Sequence, residues 1–227
     1  MTWIKICGIT NLEDGLTAVN AGADALGFVF YEESPRKVDR ETVRQILKEL
    51  PNGVETIGVF VDPLAEQMCE VVHSLDLTGI QMVMTWPPKP SSGMKAAVGV
   101  PRTMKAYCAM PAGPLVEGGQ WIENQFPAHL SQLIGGIFLD SGAPQQPGGT
   151  GRVFDWVKAV PLVEQMSKRV KVIVAGGLTP SNVAEAMHIL RPWGVDVSSG
   201  VEASPGKKDP DKVRAFVDAV RREDAKC

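Results

Sequence analysis

Histidine and cysteine are scarce in this chain of 227 residues. The four cysteines, Cys7, Cys69, Cys108 and Cys227, form no Cys-x-x-Cys pair and are too few for a disulfide framework, so reduced thiols in a cytoplasm are expected. The three histidines, His73, His129 and His188, lie far apart, which leaves little for a metal cluster or a Ser-His-Asp arrangement. There is no basic excess either. Lys and Arg number 23 against 26 Asp and Glu, a net charge of −3, so neither a nucleic acid nor an anionic bilayer is an expected partner. No apolar run approaches the roughly 18 residues of a membrane span. Met1-Thr-Trp-Ile-Lys5 does not read as the start of a secretory signal.

What remains is an ordinary globular composition, 44% hydrophobic and 22% charged, long enough to bury one sizeable core. A single domain over residues 1–227 is expected. Strand-like runs recur at Trp3 to Cys7, Asp24 to Phe30, Thr56 to Val61, Thr78 to Val83, Arg102 to Tyr107, Ile134 to Leu139, Lys171 to Ala175 and Val195 to Ser198. Helical periodicity fills most of the gaps, at Asn11 to Gly22, Asp39 to Leu50, Pro63 to Leu75, Phe154 to Met166, Asn182 to Leu190 and Asp211 to Arg222. Eight alternating units imply parallel strands with crossover helices, and a closed (β/α)8 TIM barrel houses eight without leaving sheet edges. The competing open doubly wound sheet lacks a Gly-x-Gly-x-x-Gly at the first strand-to-helix turn. The fourth and fifth units are expected to be irregular: Thr85-Trp-Pro-Pro-Lys-Pro-Ser-Ser-Gly93 cannot hold a regular helix, residues 92–98 have room for a turn or two, and residues 113–126 are weakly helical.

A barrel keeps its chemistry at the carboxyl ends of its strands. In Trp3-Ile-Lys-Ile-Cys-Gly-Ile-Thr10, alternation turns Lys5 and Cys7 towards the barrel axis, with Cys7 at the strand end. A neighbouring cation favours the thiolate, which predicts a thiol lowered from about 8.5 and usable as a base. Asp196 on the adjacent eighth strand is the expected partner of Lys5. Taken alone, Cys7 reads better as a small core residue. Asp140 closes the sixth strand and is a candidate acid or a loop cap. The turns after strands seven and eight, Ala175-Gly-Gly-Leu178 and Ser198-Ser-Gly-Val-Glu202, can offer backbone amides to a phosphate, with Gly177, Ser199 and Gly200 as candidates. Arg36 in Ser34-Pro-Arg-Lys37 can bind an anion at the same mouth, or be a solvated surface residue. Gly148-Gly-Thr-Gly151 with Arg152 reads as a ligand-covering loop or a flexible link. Gly200 to Lys207 is no P-loop, because five residues separate its glycines and Lys208 replaces the Ser/Thr.

Lys5-Ile-Cys-Gly-Ile-Thr10, Gly27-Phe-Val-Phe30, Ser34-Pro-Arg36, Gly58-Val-Phe-Val61, Phe138-Leu-Asp140, Gly148-Gly-Thr-Gly151, Ala175-Gly-Gly-Leu178 and Val195 to Glu202 together resemble the phosphoribosylanthranilate isomerases of tryptophan biosynthesis, in family order and over almost the whole chain. The resemblance implies an Amadori rearrangement of a phosphorylated aminoaldose, without cofactor or metal; the expected assembly is a monomer or homodimer. It implies Asp140 as general acid and Cys7 as general base. It further implies Arg36 on the anthranilate carboxylate, and Gly177, Ser199 and Gly200 around the phosphate. Two positions depart from the family: Gln81-Met-Val-Met84 stands for Gln-Leu-His-Gly, and Arg152 for the usual Lys. A related sugar-phosphate isomerase with dual activity is the enzymatic alternative, against which Cys7 speaks. A barrel that has become a non-catalytic scaffold is the other, against which the joint presence of Cys7, Asp140 and Arg36 speaks.

Overall fold

The computed structural model describes residues 1–83, 104–117, 134–141 and 153–226. The Pro-rich stretch 85–93, the turn at 92–98, the end of the 113–126 segment, the 148–152 loop, His129 and Cys227 lie outside them. Eight parallel strands, β1 (Trp3–Cys7), β2 (Ala25–Val29), β3 (Glu55–Val61), β4 (Gly79–Val83), β5 (Lys105–Pro111), β6 (Gly136–Asp140), β7 (Val172–Val174) and β8 (Gly194–Val197), close into one barrel in sequence order. The closed (β/α)8 architecture is the one expected.

Helices α1 (Leu12–Ala21), α2 (Arg40–Glu49), α3 (Ala65–Ser74), α5 (Trp156–Ser167), α6 (Val183–Leu190) and α7 (Pro210–Asp224) fall in the segments with helical periodicity. Side-chain caps of the expected residue types stand at the starts of α1, α2 and α7. Asn11 accepts from the Asp14 amide, Asp39 from Thr42, and Asp209 from Asp211 and Lys212, satisfying amides that a helix start leaves orphaned. A short α4 (Ala112–Glu117) follows β5 without a break, in the segment expected to be weakly helical. Its Pro114 stands in the first turn, where a missing amide costs nothing.

The fifth strand is a correction. It runs from Lys105 to Pro111 rather than from Arg102 to Tyr107, pairing Gly79 with Lys105 through Val83 with Ala109. Both faces of a parallel barrel strand are covered, so Cys108, Ala109 and Met110 stay buried without any alternation to announce them. Cys108 is therefore a mid-strand residue, not a strand end.

Side chains sort into two cores. Ile4 and Ile6 join the layer between strands and helices, while Trp3 and Cys7 belong to clusters inside the barrel. Strands of such a barrel tilt by about 36°, so a register partner on the next strand sits about one residue lower along the axis. Following the ladders round the ring stacks the inward residues in fours from alternate strands. Lys5, Ile57, Tyr107 and Ile173 form one layer, and Gly27, Gln81, Phe138 and Asp196 the next. Above them come Cys7, Val59, Ala109 and Ala175, and finally Val29, Val83, Asp140 and Ser198 at the mouth. The opposite end is plugged by aromatic rings, with Trp3 against Tyr107 at 6.1 Å and against Trp193 at 5.3 Å.

Candidate active site

Gly27 leaves a gap in its layer. A β-carbon there would stand 2.7 Å from Cys7 Sγ and 3.0 Å from Lys5 Cε, so the missing side chain is what admits both of theirs. Lys5 is completely buried, and its Nζ donates to Asp196 Oδ1 at 2.9 Å, the partner expected from the register of β1 with β8. The ammonium also interacts electrostatically with the Cys7 sulfur and lies 5.0 Å from the centre of the Phe138 ring. Asp196, Cys7 and Phe138 thus surround one buried cation.

That pair is self-compensating, and removing half of it strands a charge in the interior. Asp196→Ala is expected to cost about 3–5 kcal/mol of folding stability, measured as a shift of the chemical denaturation midpoint at unchanged slope. A change within 1 kcal/mol or so would mean that Lys5 finds another partner.

The thiol itself corrects the sequence reading. Burial is the largest influence on Cys7 and pushes its pKa up, Asp196 adds to the rise, and Lys5 opposes without reversing it. The cation expected to lower the thiol is present but neutralised by its own carboxylate, so the resting group is the thiol rather than the thiolate. Lys5, by contrast, is held above its ordinary value: desolvation works against its charge, and Asp196 and Cys7 together outweigh it.

Asp140 ends β6 half-buried at the mouth, one layer above Cys7 and three strands round the ring from it. The turn after β7 closes onto it. Gly176 has φ +80°, and a β-carbon there would come within 2.8 Å of Asp140 Oδ1 and collide with Ser141, so only glycine permits the approach. A small cleft of about 30 Å³ is lined by Asp140, Gly177, Asp196, Ser198 and Ser199, with Gly176, Leu178 and Val197 completing its wall. Gly200 is not on that wall. It sits in the 3-10 turn Ser199–Val201 with its backbone pressed against the Leu178 carbonyl, tying the turns after β7 and β8 together.

Two features of this rim escape the sequence reading. Asn182 pins the turn after β7 from both sides, its Oδ1 accepting from the Thr179 amide at 2.7 Å and its Nδ2 donating to the Gly177 carbonyl at 3.0 Å. Arg36 is neither solvated nor isolated: its Nε and Nη2 each donate to Glu202 at 2.8 Å. Glu202 in turn accepts from Lys208 Nζ at 3.0 Å, a lysine that the failed P-loop comparison leaves without a role. The arginine, glutamate and lysine lie 166 and 6 residues apart in the chain, and only the first two stand in recognisable motifs.

Among the described residues no group of three or more His, Cys, Asp or Glu side chains is arranged to hold a metal ion, and no helix is long and apolar enough to cross a membrane.

A closed parallel ring carrying a thiol, a carboxyl group and two glycine turns at the carboxyl ends of its strands places the chain among the (β/α)8-barrel enzymes. Comparison with known proteins narrows the class. The family model for N-(5'-phosphoribosyl)anthranilate (PRA) isomerase matches residues 4–101 and 120–219. An N-(5'-phosphoribosyl)anthranilate isomerase from Pelobacter propionicus is 40% identical over 220 residues, covering 96% of this chain and 94% of the relative. The crystal structure of phosphoribosyl anthranilate isomerase from Thermotoga maritima superposes with a TM-score of 0.81 at 34% identity, covering 98% of this chain and 100% of that one. A second isomerase structure, in complex with reduced 1-(o-carboxyphenylamino)-1-deoxyribulose 5-phosphate, gives 0.78 at 33% identity with the same coverage. The chain belongs to the phosphoribosylanthranilate isomerase family, the isomerases of tryptophan biosynthesis.

Proposed function

We propose that this barrel rearranges N-(5'-phosphoribosyl)anthranilate to 1-(2-carboxyphenylamino)-1-deoxyribulose 5-phosphate, with Asp140 as general acid and Cys7 as general base. The carrying observation is that these two side chains stand in adjacent top layers of one mouth, on β6 and β1. Asp140 gives a proton to the ribose ring oxygen as the anthranilate nitrogen lone pair expels it, so that the C1'–O bond breaks and a protonated Schiff base forms. Cys7, as thiolate, then takes the C2' proton. The C2'–H electrons become the C1'–C2' double bond of an enolamine, whose tautomerisation delivers the ketone at C2'. Two hydrogens move within one molecule, C1' is reduced as C2' is oxidised, and no external redox partner enters the balance.

Both ends of this substrate are anionic. Backbone amides around Gly177, Ser199 and Gly200 are the phosphate cradle of this reading. Arg36 takes the anthranilate carboxylate. Holding both ends fixes the sugar between acid and base, which is what lets each contribute its share of rate. The partner is thus a phosphorylated small molecule, handled in the cytoplasm by a monomer or homodimer.

Growth of a tryptophan auxotroph lacking its own phosphoribosylanthranilate isomerase is the test. Restored growth on medium without tryptophan is expected. Failure of a well-expressed, folded protein to restore it would favour the non-catalytic scaffold, and restored growth of a matching histidine auxotroph as well would favour dual activity.

A further inference from the structure

Resting on the assignment of Arg36 to the substrate carboxylate, we propose that Glu202 is a positioning residue that sets the selectivity of this mouth for a carboxylated aromatic amine. Arg36 follows β2 on a loop, and loops alone do not fix a long side chain. Three contacts do so here. Its stem crosses Gly8, where a β-carbon would stand 2.7 Å from Arg36 Cδ, directly beside the end of β1 that carries Cys7. Its backbone amide donates to Ser34 Oγ at 3.1 Å. Its Nε and Nη2 fork onto the two carboxylate oxygens of Glu202. The fork consumes one edge of the guanidinium and leaves the Nη1–Nη2 edge, which has the spacing for a second, bidentate carboxylate.

Glu202 is itself held. It is 8% exposed, and its Oε1 also accepts from Lys208 Nζ at 3.0 Å. Lys208 is buried, its Nζ also donates to the Ser198 carbonyl at 3.2 Å, and its backbone amide donates to Asp14 at 2.8 Å at the start of α1. Arg36 and Lys208 share the one Glu202 carboxylate, so that carboxylate is not spent on Arg36 alone. Glu202 holds Arg36 in place without cancelling the charge that the substrate meets.

The test compares N-(5'-phosphoribosyl)anthranilate with N-(5'-phosphoribosyl)aniline, which lacks the carboxylate, in wild type, Arg36→Met, Glu202→Gln and Glu202→Asp. The aspartate keeps the counter-charge for both cations, so its fold is retained, but it is one methylene too short for the fork. Wild type is expected to prefer the carboxylated substrate. Glu202→Gln and Glu202→Asp are each expected to lose about 10- to 100-fold of that preference through KM for the anthranilate substrate, with kcat and the aniline kinetics nearly unchanged. A purely structural role would weaken both substrates alike. If Arg36→Met abolishes the preference but a folded Glu202 variant keeps it, the positioning role is overturned while the Arg36 assignment stands. Retention of the preference in Arg36→Met overturns both.

Discussion

Cys7→Ser is expected to lower kcat by about 10^2- to 10^4-fold, the range that a positioned general base contributes, while leaving the affinity for a phosphate-bearing product analogue nearly unchanged. Serine fits the space that Gly27 leaves for the thiol, so the barrel is not disturbed. A hydroxyl cannot be deprotonated in a site whose burial already pushes the more acidic thiol upward. The same shift gives the wild-type enzyme a pH signature. The active species is the thiolate, and the folded thiol titrates above its ordinary value, so kcat/KM is expected to climb with pH across the neutral range and beyond, close to tenfold per unit on the limb governed by Cys7. Steady-state kinetics on both proteins and the ultraviolet absorbance of the thiolate check this together. Wild-type turnover in Cys7→Ser, or the same pH profile in both proteins, would remove the thiol from the reaction.

Asp140→Asn is the second large effect, again about 10^2- to 10^4-fold in kcat, because an amide of the same shape has no acid proton to give to the ring oxygen. The two variants should fail differently. Cys7→Ser loses the rise with pH that the thiol imposes, since its base no longer titrates, whereas Asp140→Asn keeps that rise at a lower rate. Asparagine preserves the close contact with the turn at Gly176, so the phosphate-analogue affinity is expected to survive. A normal rate in Asp140→Asn would contradict the acid role and leave ring opening to another donor.

The ring was legible because eight apolar runs with helical text between them have few ways to close. The pairing of Lys5 with Asp196 was legible for the same reason: strand parity turns both inward and ring closure makes β1 and β8 neighbours. Strand β5 was misplaced because Cys108 and Ala109 look like a strand's end in one dimension, while in the barrel they are covered on both sides. The sign of the Cys7 shift was missed because Lys5 was counted as a free cation, although a buried lysine and its carboxylate act on a neighbour as a nearly neutral pair. Glu202 stood in a quoted motif, yet its hold on Arg36 spans 166 residues and leaves no periodic trace. The mismatch at Lys208 rules out a phosphate loop but says nothing of the carboxylate that Lys208 meets in the fold.

The ladder between β1 and β8 also dictates when the molecule can be finished during synthesis. The opening strand carries an ammonium whose counter-ion lies 191 residues further on, so a nascent chain emerging from the ribosome has no means of burying Lys5 until β8 is out of the tunnel. Premature stops or pauses upstream of Asp196 leave that first strand with an unmatched charge and an open seam.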